Sequence, residues 1–481
     1  MSNYEHGIQV VESSTALTVP VTGNAGLQVV VGTAPIHLTG DTTGKVNEPL
    51  LCNDYAEAVS NLGYSDDFEK YTLCQSMYAS FQVFSIAPVI FINVLDPEKH
   101  KKENEEATYV VSNNQAIVNV EGILLDSLVV TYNSIELTKD VDYVASFNSN
   151  GYVVISIVEG GAATEAESLT VKSTSVDPEA VTYTDIIGGY DALTGKNSGI
   201  ECVNNVYSKF SLTPGLLLAP GWSHIPEVAA ALDSKSTVSS VYSCEHIVDI
   251  DTEKAKVYTA VKEVKDEAGV NGKHTIACWP MVKVGGKIMY YSALLGAAIA
   301  YTDAQNDDVP NLSPSNKLLG ISAIVLKDGS EVYLQQAQAN TLNSFGVVTA
   351  LNDSGWRSWG NNMACYPENS DVKDRWINCR RFFSWWGNTF INTYKDKVDN
   401  PANKRLIETV IDSENIRGNS LVAQGKCAGA RMEFNAEDNP TENLIAGKIK
   451  FKQYLAQYTP AESIKNELEF DVNMLTNAIN G

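Results

Sequence analysis

Several short motifs contain residue types that could do chemistry, but each lacks a part that the chemistry needs. A phosphate-binding loop has a glycine, four residues and then Gly-Lys-Ser/Thr, because backbone amides surround the phosphate and the hydroxyl binds magnesium. The nearest match, GYDALTGKN at residues 189–197, has one residue too many and Asn197 in place of the hydroxyl. The turn APGWSHIPE at residues 219–227 has one glycine where a dinucleotide site has three. We therefore predict no nucleotide site.

The carboxylates and histidines give no stronger signal. Asp353-Ser354-Gly355 resembles an aspartic-protease element, but that chemistry needs two carboxylates and the chain has no second copy. His246 could join Asp249 and Asp251 at a metal, yet in a strand His246 faces the side opposite both aspartates. The six histidines show no HExxH spacing. We predict no catalytic residue, no metal and no cofactor, although a triad built from distant residues has no local motif.

Length and charge restrict the class of protein. A chain of 481 residues exceeds one ordinary core, so we expect three or four units. The net charge of −23 would repel a polyanion, which makes nucleic acid an unfavourable partner. The first residues, MSNYEHGIQVVE, lack the features of a signal peptide. Eight scattered cysteines without a CxxC pair indicate reduced, core-filling thiols.

The elements follow an alternation of strand and helix patterns that one insertion interrupts. That alternation predicts an α/β and α+β multidomain chain with a central, mainly parallel sheet covered by helices. The interrupting segment has short β-type runs, fourteen acids and four bases, so we expect an outward, acidic all-β domain. The predicted divisions are an N-terminal arm (1–20), the first part of the central region (21–100), the inserted domain (101–185), the central α/β domain (186–345) and a C-terminal α+β domain (346–481).

A long amphipathic helix is predicted in the C-terminal domain, from Asp371 to about Val398. Its apolar side chains recur at steps of three and four, which indicates one face that packs in a core. These side chains are Trp376, Cys379, Phe383, Trp386, Phe390 and Tyr394. Arg375, Arg380 and Arg381 are expected on the other faces.

Both chain ends contain apolar side chains that cannot be buried locally. The first arm has Ile8 and Val10 in a stretch too polar to build a core. The last predicted strand has one apolar face interrupted only by Asn466, and that face consists of Ile464, Leu468, Phe470 and Val472. Strand addition to another subunit would satisfy such segments, so we expect these residues to be subunit contacts.

Six segments occur in the order found in contractile phage tail sheath proteins, and the chain resembles that family over nearly its whole length outside the insertion. They are HGIQVVE, GLQVVVGTAP, IIGGYDALTGKNSG, TPGLLLAPGWSHIPEVAAAL, RWINCRRFFSWW and the ending ARMEFNAEDNPTENLIAGKIKFKQYLAQYTPAESIKNELEFDV.

The resemblance implies a structural subunit that stacks in six-fold rings around a tail tube. Contraction would drive the tube through a target envelope, and the N- and C-terminal strands of neighbouring subunits would join another subunit's sheet. The implied partners are the chain itself, the tail tube protein, and baseplate and tail terminator proteins, without direct nucleic acid binding or membrane insertion. The implied location is a virion or tail-like particle assembled in the bacterial cytoplasm. The alternatives are another self-assembling surface or adhesin-like protein, or an α/β enzyme.

The C-terminal domain differs from the rest of the chain in its balance of basic and acidic residues. Residues 361–481 contain fifteen bases and sixteen acids, whereas the remainder has twenty bases and forty-two acids. The resemblance places this domain innermost, so the bases expected to face an acidic tube are Lys395, Lys397, Lys404 and Arg405. The alternative is that they are ordinary solvated charges. The role of the inserted domain stays open between a spacer, a shield and a module that contacts the host.

Overall fold

The computed structural model describes residues 24–239 and 241–481, and this part has a mixed α/β fold with several sheets and thirteen α-helices. Its largest sheet has eight strands. The six inner strands are parallel, and one antiparallel strand lies at each edge. In spatial order the strands are Pro49–Cys52, Val89–Asn93, Gln28–Gly32, Leu216–Leu218, Glu245–Asp249, Thr275–Cys278, Val347–Asn352 and Trp356–Trp359.

Helices cover this central sheet, as parallel strands with apolar side chains on both faces require. The most buried of them, Tyr291–Ala304, begins against Asp249 at the end of a parallel strand. Asp249 accepts a hydrogen bond of 2.9 Å from the Ser292 amide, so the carboxylate supports the positive end of the helix. The helices of this region are Tyr55–Leu62, Leu73–Met77, Tyr183–Ile187, Val206–Phe210, Pro226–Ser234, Val261–Glu267, Tyr291–Ala304 and Gln336–Asn343.

Three smaller sheets lie beside the central one. Their strands are Lys287–Met289, Met281–Val284, Ala323–Val325 and Glu331–Val332 in the first, Gly189–Asp191 and Lys196–Ser198 in the second, and Thr237–Val238 and Tyr242–Ser243 in the third.

Residues 101–176 form two antiparallel sheets around a hydrophobic cluster of their own. The first and last residues of this segment, Lys101 and Val176, lie opposite each other on paired strands, so the segment leaves and rejoins the central region at one place. One sheet consists of Lys101–Val110, Ser168–Val176, Val129–Tyr132 and Ile135–Glu136, and the other of Gln115–Val118, Val153–Ile157 and Tyr143–Phe147.

The C-terminal part contains the remaining helices and one two-stranded sheet. The helices are Val372–Arg375, Ile377–Tyr394, Lys404–Ala423, Thr441–Ile445 and Val472–Asn480, and the strands are Gly429–Glu433 and Lys452–Ala456.

The prediction of one helix from Asp371 to Val398 was wrong in its extent, because the chain is extended at Trp376 (φ −90°, ψ 131°). There Trp376 forms a bridge to Asn362, and the Met363 amide donates to the Arg375 carbonyl at 2.7 Å. These contacts replace the hydrogen bonds that a continuous helix would form.

Candidate assembly interface

The helix Ile377–Tyr394 joins the C-terminal part to the central sheet through a polar stripe. The stripe follows steps of three and four residues and consists of Asn378, Arg381, Ser384, Asn388 and Asn392. The apolar side chains of the same helix pack the other way, where Phe382, Trp385 and Trp386 meet Leu421 and Cys427. The helix is therefore buried on most of its circumference.

Arg381 forms the ion pair of that stripe. Its guanidinium makes a bidentate ion pair with Asp303, with Nη1 to Oδ1 at 3.1 Å, and both side chains are buried. Nη2 also donates to the Ala25 carbonyl at 2.8 Å. Burial lowers the pKa of Arg381, but the charge of Asp303 raises it further, so the pKa of the guanidinium lies above its usual value. Arg381, predicted on a face other than the apolar stripe, thus fixes the start of the central region to the C-terminal helix.

A second buried carboxylate, Glu245, stands beside the same helix. It accepts from Ser384 Oγ at 2.5 Å and contacts His274 Nδ1 at 3.2 Å. Burial raises the pKa of Glu245, but the contact and charge of His274, the charge of Arg380 and the Ser384 hydrogen bond outweigh it, so its pKa lies below its usual value. The carboxylate is held ionised where the sheet meets the helix.

Amide side chains complete the junction. Asn388 accepts from the Ser243 amide and donates to the Ser243 carbonyl, both at 2.8 Å. Asn392 accepts from the Tyr242 hydroxyl at 2.9 Å and donates to Thr213 Oγ1 at 3.1 Å. Directional contacts of this kind fix the rotation of the helix on the sheet.

The first described residues and the C-terminal segment both contact this helix or the residues just before it. Ala25, next to the first described residue, accepts from Arg381. Just before the helix, Arg375 binds Glu462 of the C-terminal segment at 3.0 Å, and in its first turn Asn378 donates to the Tyr458 carbonyl at 3.4 Å. The predicted contacts Ile8 and Val10 lie outside the described residues.

The C-terminal segment that follows, residues 457–471, has no regular secondary structure and is largely exposed. We call it the C-terminal arm. The predicted strand with one buried face does not form within this chain, because Ile464 is 87% exposed, Leu468 88% and Phe470 72%. Val472 begins the terminal helix after Asp471, whose carboxylate accepts from the Asn473 and Met474 amides. The described part of the chain offers the apolar face of the arm no partner.

A sheet suited to receive a strand lies near the root of the arm. Gly429–Glu433 and Lys452–Ala456 pair only with each other among the described residues, which leaves two edges. At the first edge, Asn415 accepts from the Met432 amide at 2.8 Å and donates to the Met432 carbonyl at 3.3 Å. The side-chain amide of Asn415 therefore takes the place that a backbone peptide group of an added strand would take. In the described part of the chain, no side chain binds the outward backbone groups of Lys452–Ala456 in this way.

The four predicted tube-facing bases lie around the turn between the two long helices. Lys395 and Lys397 end the first helix in a 3-10 turn, while Lys404 and Arg405 begin the second helix. Lys395 lies over the ring of Tyr207 at 4.4 Å, so it has a partner in its own chain. Lys404 and Arg405 are exposed.

The sequence motifs considered for chemistry form no assembled centre among the described residues. His246 contacts Thr275 Oγ1 at 2.7 Å and not Asp249, which instead binds Ser223 and Ser292. Residues 24–239 and 241–481 contain no group of three metal-ligating side chains and no helix long and apolar enough to cross a membrane. All eight cysteines are described, buried and free of disulfides.

The turn after Leu216–Leu218 borders a cleft of about 790 Å³ at the carboxyl edge of the sheet. Gly221 and His224 line it, and the His224 ring stacks on Tyr290 with centroids 5.5 Å apart.

Comparison with curated proteins gives relatives of one kind. The chain is 25% identical over 97% of its length to the tail sheath protein of Burkholderia phage BcepMu, and the match covers 97% of that protein. It is 26% identical over 60% of its length to the tail sheath protein of Escherichia phage P2, covering 70% of that protein. The chain is homologous to tail sheath proteins. A putative prophage major tail sheath protein of Pseudomonas aeruginosa matches 71% of the chain at 24% identity and is itself covered over 87%. No family model matches.

Solved structures share the fold of this sheath homologue. The anti-feeding prophage baseplate structure contains a chain with a TM-score of 0.58 and 13% identity, matching 98% of this chain and 100% of that one. A PVC sheath complex in the contracted state, from an extracellular contractile injection system, gives 0.57 and 13% over 98% of this chain and 99% of that one. The predicted relationship to contractile-tail sheath proteins is confirmed.

Sequence reasoning missed three residues that shape the interface. Arg381 was predicted on a face other than the apolar stripe, but its partner Asp303 lies 78 positions away without a motif to connect them. Asn415, which closes one sheet edge, is one polar residue among many on its helix. The polar steps of three and four from Asn378 to Asn392 were visible in the sequence and could have indicated the junction.

Proposed function

We propose that this protein is the structural subunit of a contractile tail sheath that polymerises as stacked six-fold rings around a tail tube. The observation that carries the proposal is the C-terminal arm. It presents Ile464, Leu468 and Phe470 to solvent, beside a two-stranded sheet with an open edge. A chain homologous to tail sheath proteins that leaves an amphipathic segment without a partner requires other copies of itself.

The energetics favour such exchange. Burying each of the three apolar side chains contributes about 1.5–3 kcal/mol. Pairing the arm backbone with a sheet edge also provides hydrogen bonds that the unpaired edge lacks. A lasting contact between subunits is expected to bury on the order of 2,000 Å² or more. Contraction then uses free energy stored during assembly, without nucleotide hydrolysis, and drives the tube through a target envelope.

The domain arrangement fits this role. Residues 346–481 form the inner layer, the central sheet region lies outside it, and the acidic residues 101–185 project to the periphery. The buried junction from Arg381 to Asn392 joins the inner and central parts, so the C-terminal arm moves with both. The partners are the tail tube, baseplate and terminator proteins, and the particle assembles in the bacterial cytoplasm.

Purified full-length protein and a chain that ends at Tyr458 test the proposal by electron microscopy at high concentration, with and without the cognate tail tube protein. We expect tubes or stacked rings from the full chain and none from the shortened chain. A circular dichroism spectrum shows whether the shortened chain folds, as its exposed arm predicts. Monodisperse particles from the full chain, even with the tube added, would refute the proposal.

The four bases near the helix turn give a separate test of the tube contact. Reversing Lys397, Lys404 and Arg405 to glutamate is expected to abolish co-sedimentation with the tube, because an acidic wall would then repel the subunit. A matched reversal of three lysines in the inserted domain, Lys102, Lys139 and Lys172, changes the net charge equally and is expected to leave binding intact. Equal loss in both variants would show a net-charge effect and remove the assigned contact.

A further inference from the structure

We propose that the hairpin at residues 189–198 of one subunit inserts its tip into the cleft beside Gly221 in a second copy, with Leu193 against the aromatic wall and Lys196 at Glu69. We call this acceptor the sheet-edge cleft, and its lining includes Phe68, Glu69, Trp222, His224, Lys287 and Tyr290. The assignment rests on the proposed function, since it requires a homopolymer, and it adds a contact that involves neither end of the chain.

The hairpin presents apolar side chains on a fixed turn. Leu193 is 97% exposed and Tyr190 is 66% exposed. The carboxylate of Asp191 accepts from the Leu193 amide at 2.8 Å and from Thr194 Oγ1 at 2.6 Å. The Gly195 amide closes the turn by donating to the Asp191 carbonyl at 2.8 Å. A side chain held on such a preorganised turn loses little conformational entropy when it enters a pocket.

The sheet-edge cleft offers a wall that suits an apolar side chain. The rings of His224 and Tyr290 stack at 13°, and Trp222 and Phe68 contribute further aromatic surface. The volume of about 790 Å³ lies within the range of about 300–1,000 Å³ that is typical of ligand pockets. The cleft therefore has room for the tip of a turn.

The electrostatic field in the cleft favours a cationic group. Burial raises the pKa of the Tyr290 hydroxyl, and the charges of four nearby carboxylates raise it further. These carboxylates belong to Asp249, Asp251, Glu253 and Glu69. The potential that they create at the aromatic wall is negative, so an ammonium group is stabilised there.

Glu69 is the carboxylate available to such a group. The two lysines that line the cleft already have acidic partners, since Lys287 binds Asp66 at 2.5 Å and Lys327 binds Glu253 at 3.3 Å. Glu69 is exposed and forms no ion pair within residues 24–239 and 241–481. A cation that arrives from another chain therefore displaces no lysine.

Lys196 of the hairpin is a matching cation. It is exposed and forms no ion pair in the part of the chain that the structure describes. The chain already contains an ammonium between rings and a carboxylate, because Lys287 lies over the Tyr78 ring at 4.4 Å beside Asp66. Tyr290 and Glu69 offer Lys196 the same combination of groups.

The acceptor belongs to a second copy because the hairpin is rooted away from the cleft of its own chain. The Gly199 amide donates to Asn47 Oδ1 at 2.8 Å, beside the edge strand Pro49–Cys52. The cleft borders Leu216–Leu218, which lies three strands away, or about 14 Å across the sheet. Each subunit can thus give one hairpin and receive one, and a head-to-tail contact of this kind generates rings or helical polymers.

Cross-linking between differently labelled chains tests the contact. One chain carries Lys196→Cys and the other Glu69→Cys. Because a lysine–glutamate pair spans more than a disulfide, a short bismaleimide reagent joins them. Both positions are exposed and all native cysteines are buried, which limits misfolding and side reactions. The controls pair Glu69→Cys with Lys172→Cys in the inserted domain, and Lys196→Cys with Glu263→Cys on a covering helix.

We expect the Lys196→Cys and Glu69→Cys mixture to cross-link at least about tenfold faster than either control in assembled polymer, because the contact raises the effective concentration of the two thiols. An equal or faster control, or cross-linking only within a chain that carries both substitutions, would overturn the contact or the second copy. Polymer seen by microscopy without this cross-link would overturn this inference alone, whereas absence of polymer would overturn the proposed function as well.

Removing the apolar tip provides a second measurement. Leu193→Ala is expected to raise the critical concentration for polymerisation about tenfold, because the tip then buries less apolar surface. Val110→Ala is the matched control, since Val110 is 77% exposed in the inserted domain, and it is expected to leave the critical concentration unchanged. Equal values for the two variants would contradict the role of the tip.

A charge exchange tests the ion pair independently. Lys196→Glu or Glu69→Lys alone is expected to raise the critical concentration about two- to fivefold, and the double variant is expected to restore it. Additive effects of the two substitutions would show that the side chains do not meet.

Discussion

Arg381 and Asp303 show how much of the junction depends on single residues. Both are buried, and removing one partner leaves an uncompensated charge. We predict that Arg381→Met lowers the free energy of unfolding by about 3–5 kcal/mol in urea titrations. The double variant Arg381→Met with Asp303→Leu should recover most of the loss, because neither charge then remains buried.

Arg405→Met is the matched control for this prediction. Arg405 is exposed on the next helix, so its substitution is expected to change stability by less than about 0.5 kcal/mol. Equal effects at positions 381 and 405 would contradict the role assigned to the ion pair.

The burial of His37 leads to a prediction about how the stability of the fold depends on pH. It is buried between the rings of Tyr71 and Phe147, its Nδ1 has no partner, and burial lowers its pKa from 6.5 to about 4. Between these two pH values the unfolded chain binds the additional proton, so stability falls as the pH drops through this range. At a pH of about 5 the loss from His37 is about 2 kcal/mol.

The variant His37→Phe tests this assignment in urea titrations at two pH values. The difference in unfolding free energy between pH 7 and pH 5 should shrink by about 2 kcal/mol, because phenylalanine takes up no proton. An unchanged difference would show that other groups, such as His246, carry the pH dependence.

At the scale of elements, the insertion has a hydrophobic cluster of its own, although its Phe147 packs on His37 of the central region. Lys101 and Val176 lie opposite each other on paired strands, and the hydrophobic cluster between them is distinct from the central core. We predict that replacing residues 102–175 with Asn-Gly, a favoured two-residue hairpin turn, leaves polymerisation intact. Sedimentation and electron microscopy of the shortened chain check this. A folded but monomeric product would show that the insertion takes part in assembly.

The elements differ in how far the sequence determines them. Strand and helix patterns predicted the central layers because buried parallel strands and amphipathic helices keep their period within a short segment. The apolar stripe from Trp376 to Tyr394 was visible for the same reason, although its first turn gives way to contacts with Asn362 and Met363. Periodic patterns within one segment therefore predicted the secondary structure of that segment.

The remaining features depend on distant partners. The arm has the alternation of a strand, but no strand forms, because no edge of the same chain is paired with it. The Arg381 ion pair joins positions 78 apart.

At the scale of the whole molecule, buried polar contacts join the C-terminal part to the central sheet. The polar stripe of Ile377–Tyr394 makes these contacts, and the C-terminal arm begins beside the same helix. In the polymer that we propose, a displacement of one subunit would be transmitted to its neighbour through this arm, so the subunits would remain joined while the polymer changes its diameter.

The most direct test is a cryo-electron microscopy map of polymer assembled from the full chain. We predict continuous density from Tyr458 through the arm to a sheet edge of a neighbouring subunit, with Phe470 and Leu468 facing inward. A polymer in which residues 459–481 fold back on their own chain, or extend into solvent without touching a neighbour, would contradict it.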